Sequence, residues 1–72
     1  SLKLTSKIRE VELIDGIGYV YGRKLRKIGI TTIDDLFQVG YTKTGRDYLA
    51  KEIGVNHLIV TYWVRQAQRM KK

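Results

Sequence analysis

Glycine, and not proline, punctuates this chain. Seven glycines and no proline are spread over 72 residues. Between the glycines run short segments whose apolar residues recur at three- and four-residue intervals, the spacing that places side chains on one face of an α-helix. A chain of this length forms one domain at most and buries only about 60% of the surface its unfolded form exposes. No cysteine is present to cross-link it, so packing between short helices has to supply the stability. The expectation is an all-α, compact five-helix bundle.

The first helix is expected from about Lys7 to Leu13, with Ser6 as N-cap and Ile8 and Val11 facing inward. A turn over 14–18 follows. The second helix is expected from Tyr19 to Ile28, with Tyr21, Leu25 and Ile28 at helical spacing and Gly29 as its left-handed stop. Thr32 and Asp35 have the spacing of a capping box for a third helix that buries Ile33, Leu36 and Phe37 and ends at Gly40. The fourth runs from Thr44 to Ile53 through Leu49, with Tyr48 alongside and Gly54 as its stop. Asn56 caps the fifth, from His57 to about Met70, and Val55 and Val60 have the spacing of a hydrophobic staple. Ile59, Trp63, Ala67 and Met70 trace one face, with Val60 and Val64 beside it and Trp63 read as core. The β-branched run from Ile30 to Ile33 has no alternating partner elsewhere, so no sheet is expected.

Fourteen Lys and Arg against seven Asp and Glu leave a net charge of +7, which favours a polyanionic partner. The cations gather at Lys3, Lys7 and Arg9, at Arg23, Lys24, Arg26 and Lys27, and at Arg65, Arg69, Lys71 and Lys72. The acids sit mainly in first turns and near the expected turns, at Asp15, Asp34, Asp35 and Asp47. No apolar run approaches the roughly 18 residues of a membrane span, no membrane partner is expected, and the protein is assigned to the cytoplasm, at the nucleoid in a prokaryote. Ser1-Leu2 lacks an initiator methionine, which points to a processed or excised piece of a longer parent. Residues 1–6 are expected to be disordered.

The segment with a mechanism is Gly16-Ile17-Gly18. Two glycines permit backbone angles that a side chain would forbid and let another molecule approach the main chain. At the start of the second helix the amides of Gly18, Tyr19 and Val20 have no partner within the helix and lie at the positive end of its dipole, where a phosphate oxygen fits. Ile17 is expected to point inward and pin the turn. Cations one turn later would complete a phosphate grip without reading base identity.

Ile14-Asp15-Gly16-Ile17-Gly18-Tyr19-Val20-Tyr21-Gly22-Arg23-Lys24-Leu25 resembles the helix-hairpin-helix motif of DNA repair, replication and recombination proteins, with Gly22 at the small position and Leu25 at the closing apolar one. The continuation Gly29-Ile30-Thr31-Thr32-Ile33-Asp34-Asp35-Leu36 also looks like this family. The chain from about residue 10 to 70 resembles an uncharacterised family of helix-hairpin-helix repeats often found in tandem. The resemblance implies sequence-independent DNA binding through a hairpin of Gly16, Ile17 and Gly18, with Lys24 and Lys27 as flanking phosphate contacts; the Tyr19 amide and Arg23, read from the residues themselves, complete the expected DNA-binding set. In some members a monovalent cation sits on hairpin carbonyls. The counterpart second hairpin is Val39 to Gly45. It is degenerate, without Gly-apolar-Gly, and implies a weaker contact through Lys43, Thr44, Gly45 and Arg46. Asp15 replaces the proline common before the first hairpin glycine, and Tyr19 stands where smaller or polar residues are common.

A dinucleotide-binding glycine loop needs a preceding strand and a βαβ unit, for which the chain is too short. No enzyme is expected, and no cofactor. There is no cysteine; the lone His57 is distant in sequence from Ser1 and Ser6 and reads as a surface residue near a cap; Asp34 and Asp35 are helix neighbours that do not face each other. One histidine cannot build a zinc site alone. Bundles of this size also resemble SAM-type protein-interaction modules, and five tyrosines suit an interaction surface. Backbone recognition also leaves structured RNA open. The reading is a SAM-like five-helix bundle that binds duplex or branched DNA through its phosphates, with a protein partner or RNA as the alternatives.

Overall fold

Helix periodicity governs the architecture. A computed structural model describes residues 10–70. Among them a 3₁₀ turn, Val11–Leu13, is followed by four α-helices: α1 (Gly18–Lys27), α2 (Ile33–Gly40), α3 (Lys43–Ile53) and α4 (His57–Met70). The fold is all-helical, and the described residues hold four α-helices where five were expected along the chain. Ser6, Ile8 and most of the expected first helix lie outside the described residues. What is described of it is extended at Glu10 (φ −78°, ψ 148°). The Val11 N–H donates to the Thr31 carbonyl at 3.0 Å, and Glu10 and Thr32 form an isolated antiparallel bridge. That pairing holds Glu10 outside helical angles, so a helix cannot run through it to Leu13. The same bridge is what the β-branched run Ile30 to Ile33 forms: a single pairing, with no strand among the described residues.

The other helices begin and end close to where capping chemistry places them. Thr32 and Asp35 form the full capping box. The Asp35 Oδ2 accepts the N–H of Thr31, the N–H of Thr32 and the Thr31 hydroxyl, each at 3.1 Å. These hydrogen bonds, the Thr31 amide foremost, hold the Asp35 carboxyl below the usual carboxylate range. Gly54 ends α3 in the left-handed region at φ 85°. The Asn56 side chain accepts the Leu58 N–H at 2.8 Å and caps α4. Gly40 has a different role from a left-handed stop. It is buried in the last turn of α2, where a β-carbon would strike the Val64 side chain at Cγ2. Its lack of a side chain lets α2 lie against α4.

The core collects Ile14, Ile17, Leu25, Ile33, Leu36, Leu49, Ile53, Val60, Trp63 and Ala67, and each fully buried aliphatic side chain contributes about 1.5–3 kcal/mol by leaving water. The long helix α4 packs on α2 and α3, while α1 packs on the 3₁₀ turn and α3. Trp63 is buried, as expected, and stacks obliquely on Tyr21 with ring centroids 5.5 Å apart. Ile59 is not on the inner face. Val60, Trp63, Val64 and Ala67 form the buried i, i+3, i+4, i+7 stripe. This rotates the core face by one position and leaves Ile59 43% exposed.

Candidate nucleic-acid interface

The Gly16-Ile17-Gly18 segment forms the turn that enters α1. The Ile17 N–H donates to the Ile14 carbonyl at 3.1 Å, closing a four-residue turn. Gly16, at its third position, has φ 92°, an angle that type II turns demand and that favours glycine. Ile14 and Ile17 are both buried, so the turn is pinned from two sides, and Ile17 points inward as its spacing predicts. Gly16 faces Trp63: a β-carbon on it would lie 3.5 Å from the indole Nε1. Gly18 has φ 61°, and a β-carbon there would meet nothing within 4 Å, so open space adjoins the first turn of α1. Asp15 is exposed.

That first turn differs from the other three. Thr32 caps α2 by accepting the Asp35 N–H, Thr42 caps α3 by accepting the Gly45 N–H, and Asn56 caps α4. The N-cap of α1 is Ile17, which makes no side-chain cap hydrogen bond. The amides of Gly18, Tyr19 and Val20 therefore stand at the positive end of α1 without a side-chain acceptor from their own cap.

The cations of α1 divide by role. Tyr19, Val20, Arg23, Lys24 and Lys27 line one shallow groove of about 210 Å³ along its exposed face. Arg23 lies over the Tyr19 ring, 5.7 Å from its centroid, so the exposed tyrosine braces the guanidinium beside the amides. Lys24 is partly committed elsewhere: its Nζ donates to the Ile53 carbonyl at 3.4 Å and lies 5.8 Å from the Tyr21 ring centroid. Lys27 is exposed. Arg26 is committed to its own chain. Its Nε and Nη2 donate to the two Glu12 carboxylate oxygens at 2.8 Å each, and Nη2 also reaches Glu10 at 3.1 Å. The Arg26 guanidinium beside Glu12 holds that carboxyl below its ordinary range, and Glu12 and Glu10 hold Arg26 above its own.

Gly22 makes the Glu12–Arg26 pairing fit. A β-carbon at position 22 would lie 2.5 Å from Glu12 Oε2 and 2.7 Å from its Cγ, so Glu12 reaches Arg26 across bare backbone. The pair has no signature in the sequence, because its partners are fourteen residues apart and on different elements.

The second turn is built differently. Its loop is Tyr41-Thr42, with Gly45 already inside α3. A β-carbon on Gly45 would strike the Val39 carbonyl oxygen, so this glycine serves close packing of α2 on α3. Lys43 pairs with Asp47 at 2.9 Å, and that contact lowers the Asp47 carboxyl. Arg46 donates from Nη1 to the Gly40 and Tyr41 carbonyls at 3.0 and 3.1 Å and closes the C-terminal end of α2. Thr44 is exposed. Lys43, Gly45 and Arg46 thus have structural tasks of their own, while Arg23 and Lys27 have no acidic partner among the described residues.

The basic ends Lys3, Lys7, Arg9, Lys71 and Lys72 lie outside the described residues. Among the described residues no three His, Cys, Asp or Glu side chains come together to hold a metal ion, and no helix is long and apolar enough to cross a membrane. His57 is exposed at the start of α4. No curated protein and no solved structure matches the sequence. One family model does match, over residues 15–72, from the turn before Gly16 through all four helices. The chain therefore belongs to the family described as a domain of unknown function (DUF4332).

Proposed function

We propose that this domain is a binding module, not an enzyme, that grips the phosphate backbone of duplex or branched DNA without reading base identity. The observation that carries this reading is the first turn of α1. Its amides lack a side-chain cap, open space adjoins Gly18, and Arg23 and then Lys27 line the groove that runs on along the same helix. Backbone amides at a helix N-terminus with adjacent cations suit a phosphate oxygen. The helix-hairpin-helix resemblance of Ile14 to Leu25 supports the same reading. The grip is one-sided, because Thr42 already occupies the corresponding amide at the second turn.

Affinity for one such module falls around 10⁻⁴–10⁻⁶ M at physiological salt. The test is DNA binding by the double variant Arg23→Glu/Lys27→Glu, measured across a salt series. Losing two phosphate contacts should reduce the slope of log K against log salt by about 2 and weaken binding alike on unrelated sequences. Unchanged affinity and slope would remove the α1 face as the site. Structured RNA offers the same phosphates, and competition between RNA and DNA duplexes of matched length separates the two.

A second reading, a protein-interaction surface of SAM-like type, is favoured by Leu58 and Tyr62. These are one turn apart on α4 and remain more than half exposed. Association of the free protein that rises with concentration, without DNA affinity, would favour it.

A further inference from the structure

A second cleft lies away from α1, where the C-terminal end of α2 and the start of α3 meet the middle of α4. Phe37, Tyr41, Arg46, Arg65 and Gln68 line it around Val64, enclosing about 260 Å³. Its chemistry is mixed in a specific way. Tyr41 is 68% exposed yet held in place, its ring 5.6 Å from that of Phe37 and tilted by 59°. Arg46 is fixed by its Nη1 contacts to the Gly40 and Tyr41 carbonyls, which leaves its Nη2 edge without a hydrogen bond among the described residues. Arg65 is exposed and has no ion-pair or hydrogen-bond partner among them. No carboxylate lines the cleft. An exposed, braced aromatic ring beside two guanidinium groups and an amide side chain is the set that a flat base attached to a phosphate requires: a face for stacking, charge for the phosphate and hydrogen-bond partners for the base edge.

We infer that this cleft takes one unpaired nucleotide, with its base stacked on Tyr41 and its phosphate held by Arg65 and Arg46. The inference builds on the proposal that the domain binds nucleic acid, and adds a single-stranded contact to the duplex grip of α1. It explains why so exposed a tyrosine is braced, and it gives Arg65 a ligand. A branched substrate offers both features at once: paired backbone for α1 and a displaced nucleotide for the cleft.

The probes are a ten-residue deoxyadenosine oligonucleotide, the free mononucleotide deoxyadenosine 5′-phosphate, and a blunt duplex. The variants are Tyr41→Ala and Arg65→Ala, both at exposed positions, with Tyr41→Phe to restore the ring. Loss of one base stack corresponds to a roughly 5- to 150-fold weaker oligonucleotide complex. Tyr41→Ala and Arg65→Ala should each produce a loss in that range, Tyr41→Phe should recover most of it, and the blunt duplex should bind all of them within about twofold of the unaltered protein. Free mononucleotide binding that is lost in the same variants would identify the cleft as a nucleotide site independent of a strand. Arg23→Glu/Lys27→Glu should impair the duplex and spare the oligonucleotide, so the two sites can fail separately. Oligonucleotide affinity that is unchanged in Tyr41→Ala and Arg65→Ala would overturn the inference, whatever the duplex result.

Discussion

The indole Nε1 of Trp63 lies 3.5 Å from the position a β-carbon would take on Gly16. The largest core side chain thus backs the turn that opens α1. Ile14 and Ile17 enter the same core from the two arms of the turn. The proposed phosphate grip is therefore seated on the hydrophobic core by three side chains, and its amides need no loop closure to be presented.

Gly16→Ala should be destabilising for two reasons. Its φ of 92° is one that a side chain resists, and the added carbon approaches Trp63. The left-handed penalty alone is about 1–2 kcal/mol, readable as a lower urea midpoint with an unchanged slope. Gly18→Ala also has positive φ but meets no neighbour, so it should cost less in stability while crowding the proposed site.

Trp63→Ala should cost about 3–5 kcal/mol, the range for removing a large buried aromatic group. A single core in a chain below about 70–80 residues rarely supplies more than about 3–5 kcal/mol, so the variant should be largely unfolded at 37 °C by circular dichroism. Trp63→Phe should keep the fold and weaken it measurably.

Thr32→Ala removes the N-cap of α2 and should cost about 1 kcal/mol, with Thr32→Ser retaining most of the stability. Asp35 adds a pH dependence. Its carboxylate is held below its ordinary value by hydrogen bonds made only in the folded chain. Its contribution is therefore fully present above the unfolded aspartate value of about 3.9 and is lost as pH falls through the lower folded value. Asp35→Asn should lower the melting temperature at pH 7, and its effect should shrink as the pH falls below the ordinary aspartate range.

Gly22→Ala should separate two effects. Alanine favours a helix interior over glycine by about 1 kcal/mol, yet its β-carbon occupies the space of the Glu12 side chain. Glu12 must then swing away from Arg26. At neutral pH the gain and the loss oppose each other. At a pH below the lowered Glu12 value the ion pair is already lost in the unaltered protein, so the variant should be the more stable of the two there. Comparing the two proteins by thermal melts from pH 7 down through the acid range reads that change.

Much of the fold is legible in the sequence because it depends on local chemistry. The Thr32–Asp35 box, the Asn56 cap, the glycine stop at Gly54 and the turn at Gly16 are decided within four or five residues, and each falls where its residues predict. What depends on distant partners is not legible. The expected helix into Leu13 gives way to a 3₁₀ turn because Val11 pairs with Thr31, a contact no short window contains. Ile59 is on the wrong side of a stripe whose centre Val60 and Trp63 decide through their fit against other helices. In the candidate site, the Gly-Ile-Gly turn and the basic run of α1 are visible as residues, but the roles within that run are not. Arg26 is withdrawn by Glu12, Lys24 is drawn toward Ile53, and Arg23 and Lys27 are left facing out. The cleft at Tyr41 and Arg65 joins residues 24 positions apart and has no linear signature.

The most direct measurement of the central claim is an NMR titration of the ¹⁵N-labelled domain with a short blunt DNA duplex, following individual amides. Gly18, Tyr19 and Val20 should shift first and furthest, and the shifts should diminish as salt is raised. The Gly45 amide, already bonded to Thr42, should stay nearly still. Shifts absent from the start of α1, or centred on Leu58 and Tyr62 instead, would contradict the claim.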